Sequence, residues 1–382
     1  MHQVLGLYRG FAAKRPAAFI ATLADFLDNM SLRLSDLGRQ EEALASVQEA
    51  LGLFRALAAE RPAVFIAKLA ECLNNMSDRL SDLGRQEEAL TAIQEALGLH
   101  QALAAERPAS FNAKLATTLA NISNRLSDIG RQEEALTAIQ EALGLHQALA
   151  AERPASFNAK LAMTLTSMSN RLSDLGRREE ALMAIQEALG LYRALAVERP
   201  AVFNAKLALA LANMSKHLSD LGRQEEALTA VQEALGLVRA LAAEYPVAFN
   251  VNLAVSLNNM SNRLSDHGRH KEALTVIQEA LGLFRTLAAE YPVAFNVNLA
   301  VSLNNMSNRL LDHGREEEAL AAIQEALDLY RALVAEQPAA FSANLAMTLG
   351  NMFNHLSDLG RPEEALAAMQ DISSLGGKTL RC

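Results

Sequence analysis

An all-α solenoid of antiparallel helix-turn-helix repeats is the fold class this sequence predicts, on three observations. Prolines at 16, 62, 108, 154, 200, 246, 292 and 338 are always 46 residues apart, and glycines at 38, 84, 130, 176, 222, 268, 314 and 360 keep the same step. Between them, apolar residues recur at steps of three and four, the signature of one helical face. Ala, Leu, Glu, Gln and Arg, all good helix formers, dominate the composition. The whole chain of 382 residues is therefore one array: a half-repeat over 1–15, then eight 46-residue repeats starting at those prolines, the last degraded after residue 370.

The repeat Pro200–Tyr245 shows the logic. Proline at the first helical position fixes φ and lacks an amide that would be orphaned there anyway. Phe203, Leu207, Leu211, Met214, Leu218 and Leu221 form the first helix's stripe. Gly222 ends it, because glycine accepts the left-handed conformation of a helix terminus. Glu225 and Glu226 open the second helix at the positive end of its dipole, and its stripe runs Ala227, Leu228, Val231, Ala234, Leu235 and Leu241. Each helix spans about 20 residues, roughly 30 Å. A lone hairpin cannot bury both stripes, but stacked neighbours can, so the core is expected as a ribbon along the array.

Composition narrows the function. A formal charge of −9 opposes a sequence-blind grip on nucleic acid, which needs a basic surface. No stretch reaches 18 uncharged apolar residues, so no membrane span is expected. Cys72 and Cys382 make no disulfide framework, which favours a reducing, cytoplasmic setting. The basic start resembles a targeting peptide, but Val4-Leu5-Gly6-Leu7-Tyr8-Arg9 matches Ala50-Leu51-Gly52-Leu53-Phe54-Arg55 and reads as half a repeat. The chain thus enters in mid-repeat, as though cut from a longer protein, and stops where the last helix loses its pattern at 371–377.

The stretch LANMSKHLSDLGRQEEALTAVQEALGL, with Ser215, Gly222, Ala227-Leu228 and Ala234-Leu235, resembles a tetratricopeptide repeat. The period exceeds that family's 34 residues; the extra length lies in RxLAxExPxxF segments between successive hairpins, as in kinesin light chain-type repeats. Leu211 and Leu218 stand where the family has a large aromatic and a tyrosine. The resemblance implies a right-handed superhelix whose concave groove, lined by first helices, holds peptides or partner helices.

Comparing the copies locates the variation. The leucine at 23, 69, 115, 161, 207, 253, 299 and 345 never changes. One register of the first helix reads Asp25, Glu71, Thr117, Met163, Leu209, Val255, Val301, Met347. Another reads Asp28, Asn74, Ala120, Thr166, Ala212, Asn258, Asn304, Gly350, and a third Leu32, Asp78, Asn124, Asn170, Lys216, Asn262, Asn308, Asn354. These share a face opposite the stripe, and the resemblance assigns that face to the groove.

An asparagine also stands there at Asn29, Asn75, Asn121, Asn213, Asn259, Asn305 and Asn351, with Ser167 the one departure. An amide offers donor and acceptor alike, so the row either pairs with the backbone of an extended peptide, as the asparagine ladder of O-GlcNAc transferases does, or bridges adjacent repeats. Lys68, Lys114, Lys160 and Lys206 give way to Asn252, Asn298 and Asn344, so the first half of the face is expected to be the more basic. The aspartates at 36, 82, 128, 174, 220, 266, 312 and 358 oppose the helix dipole. They need a cation, either the arginine three residues earlier (Arg33, Arg79) or the one after the glycine (Arg39).

Nothing points to chemistry. His267 and His270 straddle a turn without a third ligand in spacing, so no metal or other cofactor is expected. His100 and His146 occupy the register of Phe54, Tyr192 and Tyr330, which favours packing. No phosphate-cradling loop or nucleophile elbow occurs, so no catalytic residue and no enzyme activity are expected. The expected function is a scaffold that binds a protein or peptide in the groove. The alternative is a structural spacer or sensor arm of a larger signalling protein, self-associating through the solenoid ends.

Overall fold

The computed structural model describes the backbone of residues 2–379 and the side chains of 4–15, 18–338 and 340–370. Among them are 17 helices and no strands. Helix α1 (His2–Lys14) precedes the hairpins α2 (Pro16–Asp36) with α3 (Gln40–Glu60), α4 (Pro62–Asp82) with α5 (Gln86–Glu106), and α6 (Pro108–Asp128) with α7 (Gln132–Glu152). Then come α8 (Pro154–Asp174) with α9 (Arg178–Glu198), α10 (Pro200–Asp220) with α11 (Gln224–Glu244), and α12 (Pro246–Asp266) with α13 (His270–Glu290). The array continues through α14 (Pro292–Leu311) with α15 (Glu316–Glu336) and α16 (Pro338–Asp358) with α17 (Pro362–Thr379). The chain divides within α9 into two compact units, residues 1–191 and 192–382. Cys382 lies outside the described residues.

Local chemistry sets each boundary. Every first helix starts at its proline. At four entries an arginine guanidinium stacks on the phenylalanine four residues on: Arg61 on Phe65, Arg107 on Phe111, Arg153 on Phe157 and Arg199 on Phe203, at 4.9–5.0 Å. The hairpin glycines are left-handed, from φ +66° at Gly314 to +78° at Gly130, where any Cβ would be strained. The next arginine grips the second helix's first turn, as Arg223 does through Nε and Nη2 to Glu226 at 2.7 and 2.6 Å.

Packing follows the stripes. Phe203, Leu207, Leu211, Leu218, Ala227, Leu228, Val231, Ala234, Leu235 and Leu241 are all buried. In the second unit one apolar cluster runs from Leu228 to Leu349 without a break; in the first, another runs from Leu5 to Ala96. First helices also touch one another directly, α2 to α4, α4 to α6 and α6 to α8 in one unit, α10 to α12 and α12 to α14 in the other. Among the described residues, no second helix contacts the next second helix to that extent. The first helices are the closer-spaced layer, so each unit curves toward them.

Candidate functional site

The face in question is the outward side of that first-helix layer, and it is organised by bonds between repeats. Asn75 Nδ2 donates to both carboxylate oxygens of Asp28, at 3.1 and 2.9 Å. Asn351 Nδ2 donates to Asn304 Oδ1 at 3.0 Å, and Asn29 Nδ2 to the Asp25 carbonyl within its own helix at 2.7 Å. Asn121, Asn213, Asn259 and Asn305 sit half-buried in the same register and make no side-chain hydrogen bond among the described residues.

The three variable registers differ in depth. Residues of the first, such as Met163, Leu209 and Met347, are exposed. The second lies in the seam between neighbouring first helices: Asn258 and Asn304 are buried, Asn258 Oδ1 accepts from Ser302 at 3.2 Å, and Asn74 donates to Thr118 Oγ1 at 3.1 Å. Burial raises the Asp28 carboxyl above its usual range, against the opposing effect of the Asn75 hydrogen bond. In the third register Asn124, Asn170, Asn262 and Asn308 are half-buried. There Asp78 lies 3.8 Å from Arg125, and His355 Nε2 meets Asn308 Oδ1 at 2.8 Å.

The lysines are not uniform. Lys68 Nζ pairs with Asp25 at 2.8 Å, and Lys114 pairs with Glu71, each reaching back to the preceding first helix. The Asp25 hydrogen bond raises the Lys68 pKa. The acids of that register end at Glu71, since Thr117 follows, and Lys160 is exposed with no ion pair among the described residues; Lys206 is likewise exposed and unpaired. The first two lysines therefore add little net charge to the face, whereas the later two keep theirs.

Where an arginine stands three residues earlier, the recurrent aspartate pairs with it: Arg79–Asp82 and Arg125–Asp128 at 3.5 Å, Arg171–Asp174 at 3.6 Å, Arg263–Asp266 at 3.0 Å, Arg309–Asp312 at 3.4 Å. The arginine after the glycine is taken by the second helix instead, as in Arg39–Glu42 at 2.6 Å.

His100 and His146 are buried, with Nδ1 at 2.9 Å from Thr118 Oγ1 and 2.8 Å from Thr164 Oγ1. Thr164 donates its single proton to the Lys160 carbonyl at 3.1 Å, so His146 Nδ1–H is the donor and Nε2 a buried, unpartnered acceptor. A proton on Nε2 would be buried without an acceptor. Burial, with Lys160 nearby, lowers the His146 pKa to about 4, and burial likewise lowers that of His100. His267 and His270 each lie 3.4 Å from a carboxylate, Glu225 and Asp312. Among the described residues no three His, Cys, Asp or Glu side chains converge as a metal site would need. The Cys72 thiol is buried, and burial pushes its pKa up, which suppresses its reactivity. No helix among the described residues is long and apolar enough to cross a membrane.

The face is thus a row of half-buried amides flanked by exposed apolar and basic side chains. Amides at this spacing offer donors and acceptors along the face. In comparison with known proteins, the family described as tetratricopeptide repeat matches residues 69–105, 115–151, 161–198, 253–288 and 299–338. The family described as anaphase-promoting complex subunit 5 matches 192–261. No curated protein matches the sequence. Among solved structures, the apo form of the quorum sensor NprR from B. thuringiensis is similar at TM-score 0.61 and 15% identity, over 98% of this chain and 93% of that one. BtubC (BKLC) from P. vanneervenii is similar at TM-score 0.52 and 18% identity, over 65% of this chain and 92% of that one. A Rap protein complexed with competence and sporulation factor is similar at TM-score 0.50 and 16% identity, over 94% of this chain and 99% of that one. At such identities these likenesses describe the fold.

Proposed function

From the premise that the chain is a tetratricopeptide-repeat protein, we propose that it is a protein-interaction scaffold whose first-helix face binds an extended peptide segment of a partner. One observation carries the reading: this face differs from repeat to repeat at exposed positions such as Met163, Leu209 and Met347, beside an amide register broken only at Ser167. Constant amides can hold a peptide backbone whatever its sequence, and the variable side chains beside them can select it. The Rap protein that holds competence and sporulation factor shows that a related fold accommodates a ligand.

The test selects a phage-displayed random peptide library on the full chain. The affinity of the enriched peptide is then measured by fluorescence anisotropy for wild type and for Asn121→Ala/Asn213→Ala/Asn259→Ala. A loss of roughly tenfold or more at unchanged melting temperature is expected, since three hydrogen bonds at about 0.5–1.5 kcal/mol each are removed. An unchanged affinity, or no enriched peptide, sinks the reading.

A second reading, self-association through an end of the array, has one observation in its favour. Helix α1 exposes Val4, Leu7 and Phe11, whereas Leu57 and Leu103, the counterparts of Phe11, are buried. Light scattering of Leu7→Ser/Phe11→Ser against wild type separates the two: a drop in mass with peptide binding intact supports self-association as well.

A further inference from the structure

In five seams between first helices, the same register carries an arginine: Arg79, Arg125, Arg171, Arg263 and Arg309. Each side chain is only 11–20% exposed and lies 3.0–3.6 Å from the aspartate three residues on. Arg125 also reaches back to Asp78 on the preceding first helix, at 3.8 Å. The guanidinium is thus the group that fills this seam between repeats.

The register breaks twice, at His217 and at His355, and the last seam is the one where a cavity accompanies the break. Between α14 and α16 the register holds His355, whose imidazole is shorter than an arginine side chain. A cavity of about 530 Å3 stands there, lined by Asn308, Asp312, Asn351, Asn354, His355 and Asp358 among others. The carboxylates of the motif remain, but Asp358 has no cation within ion-pair distance among the described residues, unlike Asp82, Asp128, Asp174, Asp266 and Asp312. His355 itself is 4% exposed. Its Nε2 is engaged by Asn308, while its Nδ1 is buried with no hydrogen-bond partner. Three asparagine side chains complete a lining rich in carbonyl and carboxylate acceptors. A planar cation with several N–H donors satisfies such a lining better than a compact ammonium does.

We propose that the α14–α16 seam is a binding pocket for a guanidinium group, the arginine side chain of a partner, which takes the place that the chain's own arginine holds in five other seams. The cavity is lined by Asn308 and Asn351 of the first-helix face, so the pocket deepens the reading of that face by naming a side chain it selects. The Asp358 carboxylate supplies the charge, and the asparagine carbonyls accept the remaining N–H groups.

The experiment titrates N-acetyl-L-arginine amide into the full chain carrying 15N-labelled histidine, and follows the imidazole resonances. A saturable shift of the His355 signal is expected, with none from the neutral isostere N-acetyl-L-citrulline amide. His355→Arg assigns the His355 signal by its loss and supplies the guanidinium in cis; its binding is read by isothermal titration calorimetry, where the arginine heat seen for wild type should vanish while the melting temperature stays equal or higher. Asp358→Asn should weaken binding by roughly fivefold, the range of one partly exposed ion pair, and serves if His355→Arg does not fold. Equal shifts from citrulline, no shift from arginine, or wild-type binding by His355→Arg overturns the proposal. The variant Asn121→Ala/Asn213→Ala/Asn259→Ala should keep the arginine response, because those residues lie in other repeats. Loss of peptide binding alone therefore speaks to the face, and loss of the arginine response alone to the pocket.

Discussion

The seams of the early repeats and those of the late repeats are closed by different chemistry over the same core. Around α4 and α6 they are ionic: Lys68 to Asp25, Lys114 to Glu71 and Arg125 to Asp78. Around α14 and α16 they are neutral: Ser302 to Asn258, Asn351 to Asn304 and His355 to Asn308. The packing register of the second helices varies as well, with Phe54, His100 and His146 in the first unit and Phe284 and Tyr330 in the second. The contrast shows that the apolar ribbon fixes the stacking, while the polar seam is free to be charged, neutral or incomplete.

The largest expected break is in the late core. Phe284→Ala removes a fully buried ring and should cost about 3–5 kcal/mol in denaturant unfolding of the second unit. Next is acid. The unfolded imidazole titrates near 6.5 and the folded His146 near 4, so the unfolded chain takes up the proton first. The histidine seams should be fully stable above pH about 6.5 and weaken progressively as pH falls toward 4. Hydrogen exchange in α5 to α8 at pH 5 should accelerate in wild type and not in His100→Phe/His146→Phe; equal acceleration in both breaks the comparison.

A smaller effect should be the same in both regions. Gly98 and Gly282 lie within second helices, and nothing within 4 Å opposes an added Cβ. Replacing either by alanine should gain about 0.5–1 kcal/mol, and unequal gains in thermal melts would mean that the regions differ beyond their seams. The smallest effect belongs to the early ion pairs. Lys114→Met should cost about 0.2–1 kcal/mol at low salt and nearly nothing at 1 M NaCl, whereas Asn351→Ala should show no such salt dependence.

The hairpin boundaries and the core were legible because they depend on one repeat at a time: proline, stripe, glycine, glutamates. For Asp82 the sequence left two arginines open, and the partner is the one three residues earlier on the same helix. The seam was not legible. Columns of equivalent residues are 46 apart, but the side chains that meet are 43, 44 or 47 apart, as in Lys68–Asp25, Ser302–Asn258 and Asn75–Asp28. That stagger arises from how neighbouring helices slide when their ridges interlock, and no single repeat encodes it. Lys68 and Lys114 therefore read as a basic surface, although acids one repeat back hold them. The depth of the second variable register, with Asn258 and Asn304 buried, escaped for the same reason. The cavity beside His355 accompanies a change of Arg to His that also occurs at His217, so the change alone does not announce it.

Helices α5 and α7 have the same sequence, QEEALTAIQEALGLHQALAAE, and present the same histidine to a threonine of the next helix. A refolding chain that docks α8 on α5 instead of α7 meets an identical surface, with one repeat left out as a loop. Closing a longer loop costs little entropy, so this slipped product is nearly isoenergetic at that junction and loses only the omitted repeat's packing. Refolding should therefore show a slow phase of correction, concentration-independent and removed when α7 is recoded with different core-compatible residues.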